Sequence, residues 1–291
     1  MQKLMTFILG ICLLALPISA QQDQKAEVDP KELAQNVAGR AGTAVEKTER
    51  LVTWINTNFQ WSATDYQKRT VQEIVSRRAG NCAELANVLS ALLQATDIRF
   101  RWIAEINVQP TSQQRQNTAA GLVAKQGNRM SVFGLNHNDH RWLEVYDEKS
   151  QAWFPADPAV GVVGTRAWIA TRLGFGERPV SPVPAIASIT KTMLVPFVVI
   201  AVSSRGGAPT ENRSKHYLID EFDSFYGHKL TKLPSWPEWE KLIGQISPLA
   251  ASAFAGEVNL HEHAKLIEQL SQVYERLRQE AQARNIVASL K

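Results

Sequence analysis

The sequence predicts an α+β fold in which a helix packs on an antiparallel sheet, with a mainly helical extension at the C-terminus. Three observations predict it. Apolar residues recur at helical spacing from Leu51 to Leu93, alternate with polar residues from Ile98 to Val108, and return to helical spacing beyond Ser235. We therefore divide the chain into a core domain, residues 31–205, and an extension, residues 206–291.

The first twenty residues predict an export signal. Lys3 gives a positive start, Phe7 to Leu16 an apolar centre, and Ile18-Ser19-Ala20 an acceptable cleavage site. Because the apolar stretch is too short for a permanent anchor, we expect cleavage after residue 20 and no stable membrane span. The protein would then be periplasmic or secreted, with an uncleaved membrane tether as the alternative.

Composition narrows the range of partners. The chain has 32 basic and 28 acidic residues, a formal net charge of +4. This weakly basic balance, with no basic stripe interleaved with aromatic residues, gives no indication of nucleic-acid binding. Eight tryptophans and 44% hydrophobic residues indicate a well-packed globular protein.

Signal cleavage would leave one cysteine, Cys82, because Cys12 lies in the apolar segment. Exported proteins use cysteines in pairs for stability, so a lone cysteine is either an inert buried thiol or a reactive group. Asn81 as a cap and Glu84 three residues later predict that a helix begins at Cys82. There the helix dipole and the free backbone amides favour a thiolate.

Two further helices are predicted before Cys82. Lys31 to Phe59 predicts one long helix, and Thr70-Val71-Gln72-Glu73 opens a shorter one that ends at Gly80. The helix that begins at Cys82 carries an apolar stripe typical of a buried helix. The residues of that stripe are Leu85, Val88, Leu89, Leu92 and Leu93.

Strands follow the cysteine helix. Ile98 to Val108 predicts a half-buried strand, and Gln109 to Leu135 a long polar loop. His140 to Tyr146 and Trp153 to Asp157 predict a hairpin. If the loop has two or four residues, the two residue numbers in each cross-strand pair add up to 297. His140 then lies directly opposite Asp157. This register also places the apolar residues Leu143, Val145, Phe154 and Ala156 together on the other face.

Beyond the hairpin, Met193 to Val202 predicts a strand, with His216 to Phe222 as its expected partner. Ser235-Trp236-Pro237-Glu238 opens a helical region. From about Glu262 the apolar spacing predicts a docking helix rather than a coiled coil, because too few heptads are present.

Three blocks of this sequence resemble the transglutaminase-like core family, whose fold is papain-like. They are Arg78 to Glu84, His140 to Tyr146, and Trp153 to Pro158, within a resemblance that covers roughly residues 45–165. The resemblance implies that Cys82 is the nucleophile, His140 the base, and Asp157 the carboxylate that orients His140. A thiol, an imidazole and a carboxylate are also the set that nucleophilic acyl chemistry needs.

Three more residues are candidates for substrate binding. Trp61 could polarise a substrate carbonyl, as an aromatic residue ahead of the nucleophile does in this family, although core packing is the simpler interpretation. Arg141 stands where the family usually has a small residue, so it could alter the mouth of the site. Trp142, the third candidate, follows Arg141 directly in the histidine block.

The sequence predicts neither a metal nor a cofactor. Cys82, His137 and Asp157 have the ligand types of a zinc site. His137 and His140 are three residues apart on a strand, however, so they face opposite sides of the sheet, and we do not expect zinc.

The predicted function is an exported, thiol-dependent acyl-transfer enzyme that acts on peptide or side-chain amide bonds of a protein or peptide substrate. It is a cysteine protease or amidase, or a transglutaminase-like acyltransferase. Hydrolysis is favoured over crosslinking, because the Gln109 to Leu135 loop is polar and lacks the apolar surface of a water-excluding lid. The alternative is a non-catalytic transglutaminase-like module that binds protein or cell wall.

Overall fold

The fold is built around a six-stranded antiparallel sheet. The structure is a computed structural model that describes residues 28–62, 65, 67–108, 137–175, 195–255 and 263–288. The strands are β3 (Phe100–Val108), β4 (His137–Asp147), β5 (Ala152–Asp157), β6 (Val162–Val163), β7 (Val195–Val202) and β8 (Pro209–Asn212), in the order β6-β5-β4-β3-β7-β8. The mixed fold of helices and an antiparallel sheet predicted from the sequence is confirmed.

Four helices and a two-stranded parallel pair precede the sheet in the described part of the chain. The helices are α1 (Pro30–Ala38), α2 (Ala44–Asn58), α3 (Val71–Arg77) and α4 (Cys82–Ala95), and the pair is β1 (Gln60–Trp61) with β2 (Ala79–Gly80). Both α2 and α4 contact β4. The N-terminal helices therefore pack against the strand that carries His140.

The single helix predicted from Lys31 to Phe59 is wrong, because the structure breaks it after α1. Gly39 and Gly42 have φ angles of 71° and 117°, in the region that glycine adopts without strain. Thr43 then caps a new helix in a reciprocal pair with Glu46. The two glycines therefore end one helix and allow the next to begin in a different direction.

The C-terminal region adds α5 (Thr165–Arg172), a π-helical segment (His216–Glu221), α6 (Phe222–Phe225), a short 3₁₀ turn (Leu230–Lys232), α7 (Trp236–Ala255) and α8 (Ala264–Ala283). The strand predicted from His216 to Phe222 is wrong, since β8 is the strand that pairs with β7. The hydroxyl of Ser214 accepts a hydrogen bond from the Val199 amide at 3.0 Å. The chain leaves the sheet there and turns into helix.

These later elements cover one face of the sheet. Trp142 on β4 contacts Trp168 of α5 and Tyr217 of the π-helical segment, with ring centroids 5.4 and 5.6 Å apart. The fully buried carboxylate of Glu144 binds Nε of Arg101 at 2.5 Å and Nε of Arg213 at 3.1 Å. It also accepts a hydrogen bond from the hydroxyl of Tyr217 at 2.5 Å. One carboxylate thus joins β3, β4 and the segment after β8.

The predicted domain boundary at residue 205 falls in the turn between β7 and β8, which are neighbours in the same sheet. Division of the chain into a core and an extension stays a prediction. The predicted export signal, residues 1–20, and the predicted loop, residues 109–135, lie outside the described residues.

Candidate active site

Cys82 is the first residue of α4, as the sequence predicted. Asn81 Oδ1 accepts a hydrogen bond from the Glu84 amide at 3.1 Å, and Glu84 Oε2 accepts one from the Asn81 amide at 3.0 Å. This reciprocal pair fixes where the helix begins. Gly80 leaves room for it, because a Cβ atom there would lie 2.9 Å from the Cβ of Glu84. The sequence before Cys82 therefore determines how the thiol is presented.

Glu84 also anchors this helix start to the preceding segment. Its side chain is only 1% exposed, and Arg69 donates a hydrogen bond to Oε1 at 2.8 Å. Arg77 lies 4.0 Å from Oε2. The carboxylate two residues after the thiol is thus held by arginines and by a backbone amide, which makes it a structural group.

Trp61 lies next to the segment that leads to Cys82. In the parallel pair of β1 and β2, Trp61 is the partner of Gly80, and the amide of Ser62 donates to the Gly80 carbonyl at 2.9 Å. Trp61 is half-buried and packs against the hydrophobic core. Its location is compatible with both of the roles considered from the sequence.

His140 and Asp157 are brought together. Nε2 of His140 lies 2.6 Å from Oδ2 of Asp157, and the other carboxylate oxygen accepts a hydrogen bond from the Ala159 amide at 3.0 Å. The carboxylate is fully buried. A bonded and buried carboxylate of this kind holds an imidazole in a fixed orientation.

The predicted register of the hairpin is wrong by two residues. Leu143 pairs with Ala156, so Trp142 rather than His140 stands across from Asp157. The connecting loop, residues 148–151, ends at Gln151 with a φ angle of 52°, a left-handed residue that the sequence did not indicate. Because the shift is even, each residue keeps its predicted face, and the histidine reaches the carboxylate diagonally.

Cys82 and His140 lie close enough to each other to interact electrostatically. The side chain of His140 is 12% exposed. Burial lowers the pKa of His140, but the charges of Asp157 and Cys82 and the hydrogen bond to Asp157 outweigh it, so the pKa lies well above the ordinary value of 6.5. The surroundings of His140 therefore favour its protonated, imidazolium form.

Arg141 and Trp142, two of the predicted substrate contacts, are both buried. Arg141 is 6% exposed, and its Nε donates to the Arg205 carbonyl at 3.3 Å. Trp142 is fully buried, and its Nε1 donates to Oε2 of Glu105 at 2.9 Å. The position of Trp142 in the core does not support the predicted substrate contact.

Sequence reasoning missed two charged groups near these residues. Glu105, fully buried, is the cross-strand partner of His140 and forms a buried ion pair with Arg172. Arg205, in the turn between β7 and β8, has charge interactions with Glu84, Cys82 and Arg141. Glu105 could have been noticed in the sequence, because it is a charged residue in a mainly apolar strand. Nothing in the sequence around Arg205 indicates that its turn comes near the thiol.

Within the described residues, no group of three or more histidine, cysteine, aspartate or glutamate side chains is arranged to hold a metal ion. The side chain of His137, considered above as a zinc ligand, lies outside the described part of the chain. No helix in the described ranges combines the length and apolar character needed to cross a membrane.

The fold and these side chains define a class of protein. A helix that begins at a cysteine contacts an antiparallel sheet that carries a histidine bonded to a carboxylate, and these are the groups that thiol-dependent acyl chemistry uses. Residues 31–158, a little under half of the chain, match the family model of the transglutaminase-like superfamily. The family predicted from the three sequence blocks is confirmed.

Solved structures give more distant similarities. A candidate cysteine protease from Cytophaga hutchinsonii is 16% identical, with a TM-score of 0.31 over 46% of this chain and 39% of its own. A candidate protease from Parabacteroides distasonis is 12% identical, with a TM-score of 0.34 over 64% and 27%. Rad4–Rad23 bound to a 6-4 photoproduct UV lesion is 12% identical, with a TM-score of 0.32 over 86% and 54%.

The chain spans less than two thirds of each of these three structures. At such identities and TM-scores, the similarities carry no argument about substrate or activity. No curated protein matches the sequence. The family assignment therefore rests on the match over residues 31–158.

Proposed function

We propose that the protein is an exported thiol enzyme that cleaves peptide or side-chain amide bonds, with Cys82, His140 and Asp157 as its catalytic residues. The observation that supports it most strongly is that His140 interacts with both partners. Its Nε2 lies 2.6 Å from Oδ2 of Asp157, and Cys82 is close enough to raise its pKa. The match of residues 31–158 to the transglutaminase-like superfamily supports a thiol enzyme.

The proposed reaction begins when the Cys82 thiolate attacks the amide carbonyl carbon. The carbonyl oxygen becomes an oxyanion, and the backbone amide of Cys82 is a suitable donor to it, because the first amides of a helix have no acceptor within the helix. When the C–N bond breaks, the imidazolium of His140 gives its proton to the departing amine, and a thioester forms.

Hydrolysis completes the proposed cycle. His140, now neutral, takes a proton from water, the hydroxide oxygen bonds to the thioester carbon, and the C–S bond breaks to release the acid and the thiolate. Transfer to a second amine is the competing route and requires water to be excluded. We favour hydrolysis, because the polar composition of residues 109–135 does not suit a dry lid.

Thiol alkylation is the experiment that tests the proposal. In the folded protein, Cys82 should react with iodoacetamide near pH 6 faster than a free cysteine, whose pKa is about 8.5. Labelling that occurs only after denaturation would show an inert thiol and would favour the non-catalytic binding module.

Activity is tested with Cys82→Ala and Cys82→Ser. Both should abolish amide cleavage and leave the thermal midpoint within a few degrees of that of the unaltered protein. Ser271→Ala, on α8, is the matched control and should retain full activity. Cleavage that persists without the thiol would contradict the mechanism.

Hydrolysis and crosslinking are separated in one incubation with a glutamine-bearing protein and a labelled primary amine. We expect ammonia release without stable amine incorporation. Incorporation that depends on Cys82 and exceeds hydrolysis would overturn the preference for water.

The proposed export is tested by expressing the full sequence in a bacterial host and sequencing the N-terminus of the protein outside the cytoplasm. The proposal expects a chain that begins at Gln21. Retention of residues 1–20 would contradict cleavage of the signal.

A further inference from the structure

An arginine that plays no part in the proposed reaction lies within charge-interaction range of the proposed nucleophile. Arg205 belongs to the turn between β7 and β8, and its main-chain carbonyl accepts a hydrogen bond from Nε of Arg141 at 3.3 Å. Its guanidinium is close enough to Cys82, Glu84 and Arg141 for their charges to interact. The turn therefore brings a cation to the site.

The guanidinium of Arg205 is incompletely compensated. Its Nε atom is buried and has no hydrogen-bond partner among the residues that the structure describes. The nearby Glu84 is already bonded to Arg69 at 2.8 Å and lies 4.0 Å from Arg77. Burial lowers the pKa of Arg205, as expected for a cation that has lost water without gaining an anion of its own.

We propose that Arg205 binds a carboxylate of the substrate next to the bond that Cys82 attacks, with Arg141 fixing the turn that carries it. This inference rests on the proposed function for its chemistry and adds the substrate class: peptides or amides with an acidic group beside the scissile amide. A planar guanidinium with two parallel N–H groups matches a carboxylate better than any other side chain does.

Two alkylating reagents that differ in charge test the site without a known substrate. Iodoacetate carries a carboxylate next to the reacting carbon, and iodoacetamide carries a neutral amide of nearly the same size. In both reactions the Cys82 thiolate forms a C–S bond, and the C–I bond breaks to release iodide. The measured quantity is the ratio of the iodoacetate rate to the iodoacetamide rate at pH 7, relative to the same ratio for free cysteine.

We expect this ratio to exceed that of free cysteine by on the order of tenfold in the unaltered protein, since a fixed cation concentrates an anion at the thiol. Arg205→Gln should remove most of the excess, and Arg205→Lys, which keeps the charge, should retain part of it. Arg99→Gln is the matched control, because Arg99 is an exposed arginine of the same fold that pairs with Glu148. A ratio equal to that of free cysteine, or one that Arg205→Gln leaves unchanged, overturns the proposal.

This design separates the two proposals. A protein that prefers iodoacetate but cleaves no amide has the carboxylate site and lacks the proposed function. If the folded protein reacts with neither reagent, sodium acetate becomes the probe, at an ionic strength matched with sodium chloride. Acetate should then raise the thermal midpoint of the unaltered protein more than that of Arg205→Gln. Equal shifts overturn the proposal.

The source of the carboxylate is distinguished with paired peptides. One pair differs only in a free or an amidated C-terminus beside the scissile bond, and the other carries glutamate or glutamine there. We expect kcat/KM to favour the acidic member of one pair and Arg205→Gln to abolish that preference. The pair that responds identifies the group, and a lack of preference in both pairs contradicts the proposal.

Discussion

Nε2 of His140 lies 2.6 Å from Oδ2 of Asp157, across a hairpin whose register does not pair the two residues. His140 also interacts with Cys82. The carboxylate is buried and takes a second hydrogen bond from the Ala159 amide. The imidazole is thus oriented by a group that has itself little freedom to move.

The first prediction concerns that carboxylate. Asp157→Asn should lower kcat by on the order of 10²–10⁴ with little change in KM, because the amide stabilises the wrong imidazole tautomer and cannot balance an imidazolium. Asp223→Asn is the control. Asp223 is also buried, but it accepts hydrogen bonds from the backbone amides of Leu230 and Thr231, and among the described residues no hydrogen bond joins it to His140. An unaffected kcat would mean that another group orients His140.

The second prediction is a pH dependence. The pKa of His140 lies well above 6.5, so its ionic contribution to stability is complete below pH 6.5 and is lost as the pH rises through the raised pKa. The loss of kcat/KM on the basic side should therefore begin above pH 6.5. Cys82→Ala should lower the pKa of His140, because the sulfur charge is one of the causes that raise it.

NMR titration of the His140 ring protons checks this second prediction directly. The Cys82→Ala protein should show the imidazole titrating at a lower pH than in the unaltered protein. Ser271→Ala should leave the titration in place. An identical midpoint in the Cys82→Ala protein would mean that the thiol and the imidazole do not interact.

The third prediction compares two glycines. Gly80→Ala should destabilise the protein and slow alkylation of Cys82, because its Cβ would lie 2.9 Å from the Cβ of Glu84 at the start of α4. Gly244→Ala should stabilise the protein by about 0.5–1 kcal/mol, since Gly244 lies inside α7 with no atom within 4 Å of the added Cβ. Urea denaturation measures both, and equal effects would contradict the close contact at Gly80.

The fourth prediction concerns the buried ion pair beside His140. Glu105→Gln should lower the free energy of unfolding by about 3–5 kcal/mol, because it leaves the buried Arg172 without its anion. Glu148→Gln, which breaks the exposed pair with Arg99, should have no measurable effect. If the two substitutions cost the same, the Glu105–Arg172 pair does not stabilise the core.

The local features of the site could be predicted from the sequence because neighbouring residues determine them. Asn81 and Glu84 specify that a helix begins at Cys82, and strand alternation assigns His140 and Asp157 to their faces. The hairpin register could not be predicted in the same way. It depends on the left-handed conformation of Gln151, a residue type that rarely adopts it.

Other features depend on contacts between distant segments. Nothing in the sequence around Arg205 indicates that its turn comes near Cys82, since more than 120 residues separate the two. The strand predicted at His216 is a helix, because Ser214 ends the sheet by bonding to Val199 and the apolar residues then face α7. Tertiary packing overrides local preference at such places.

The hydrogen bonds that Glu144 forms with Arg101, Arg213 and Tyr217 have a consequence for the order in which the chain folds. These partners of Glu144 come from β3 and from residues 213 and 217. One face of β4, the strand that carries His140, therefore stays uncovered until residues 213–217 pack against it. During synthesis from the N-terminus, Cys82 is therefore made long before the residues that complete the sheet. We expect the Cys82 thiol to become reactive only late in folding, so that an incompletely folded molecule would react little with other proteins.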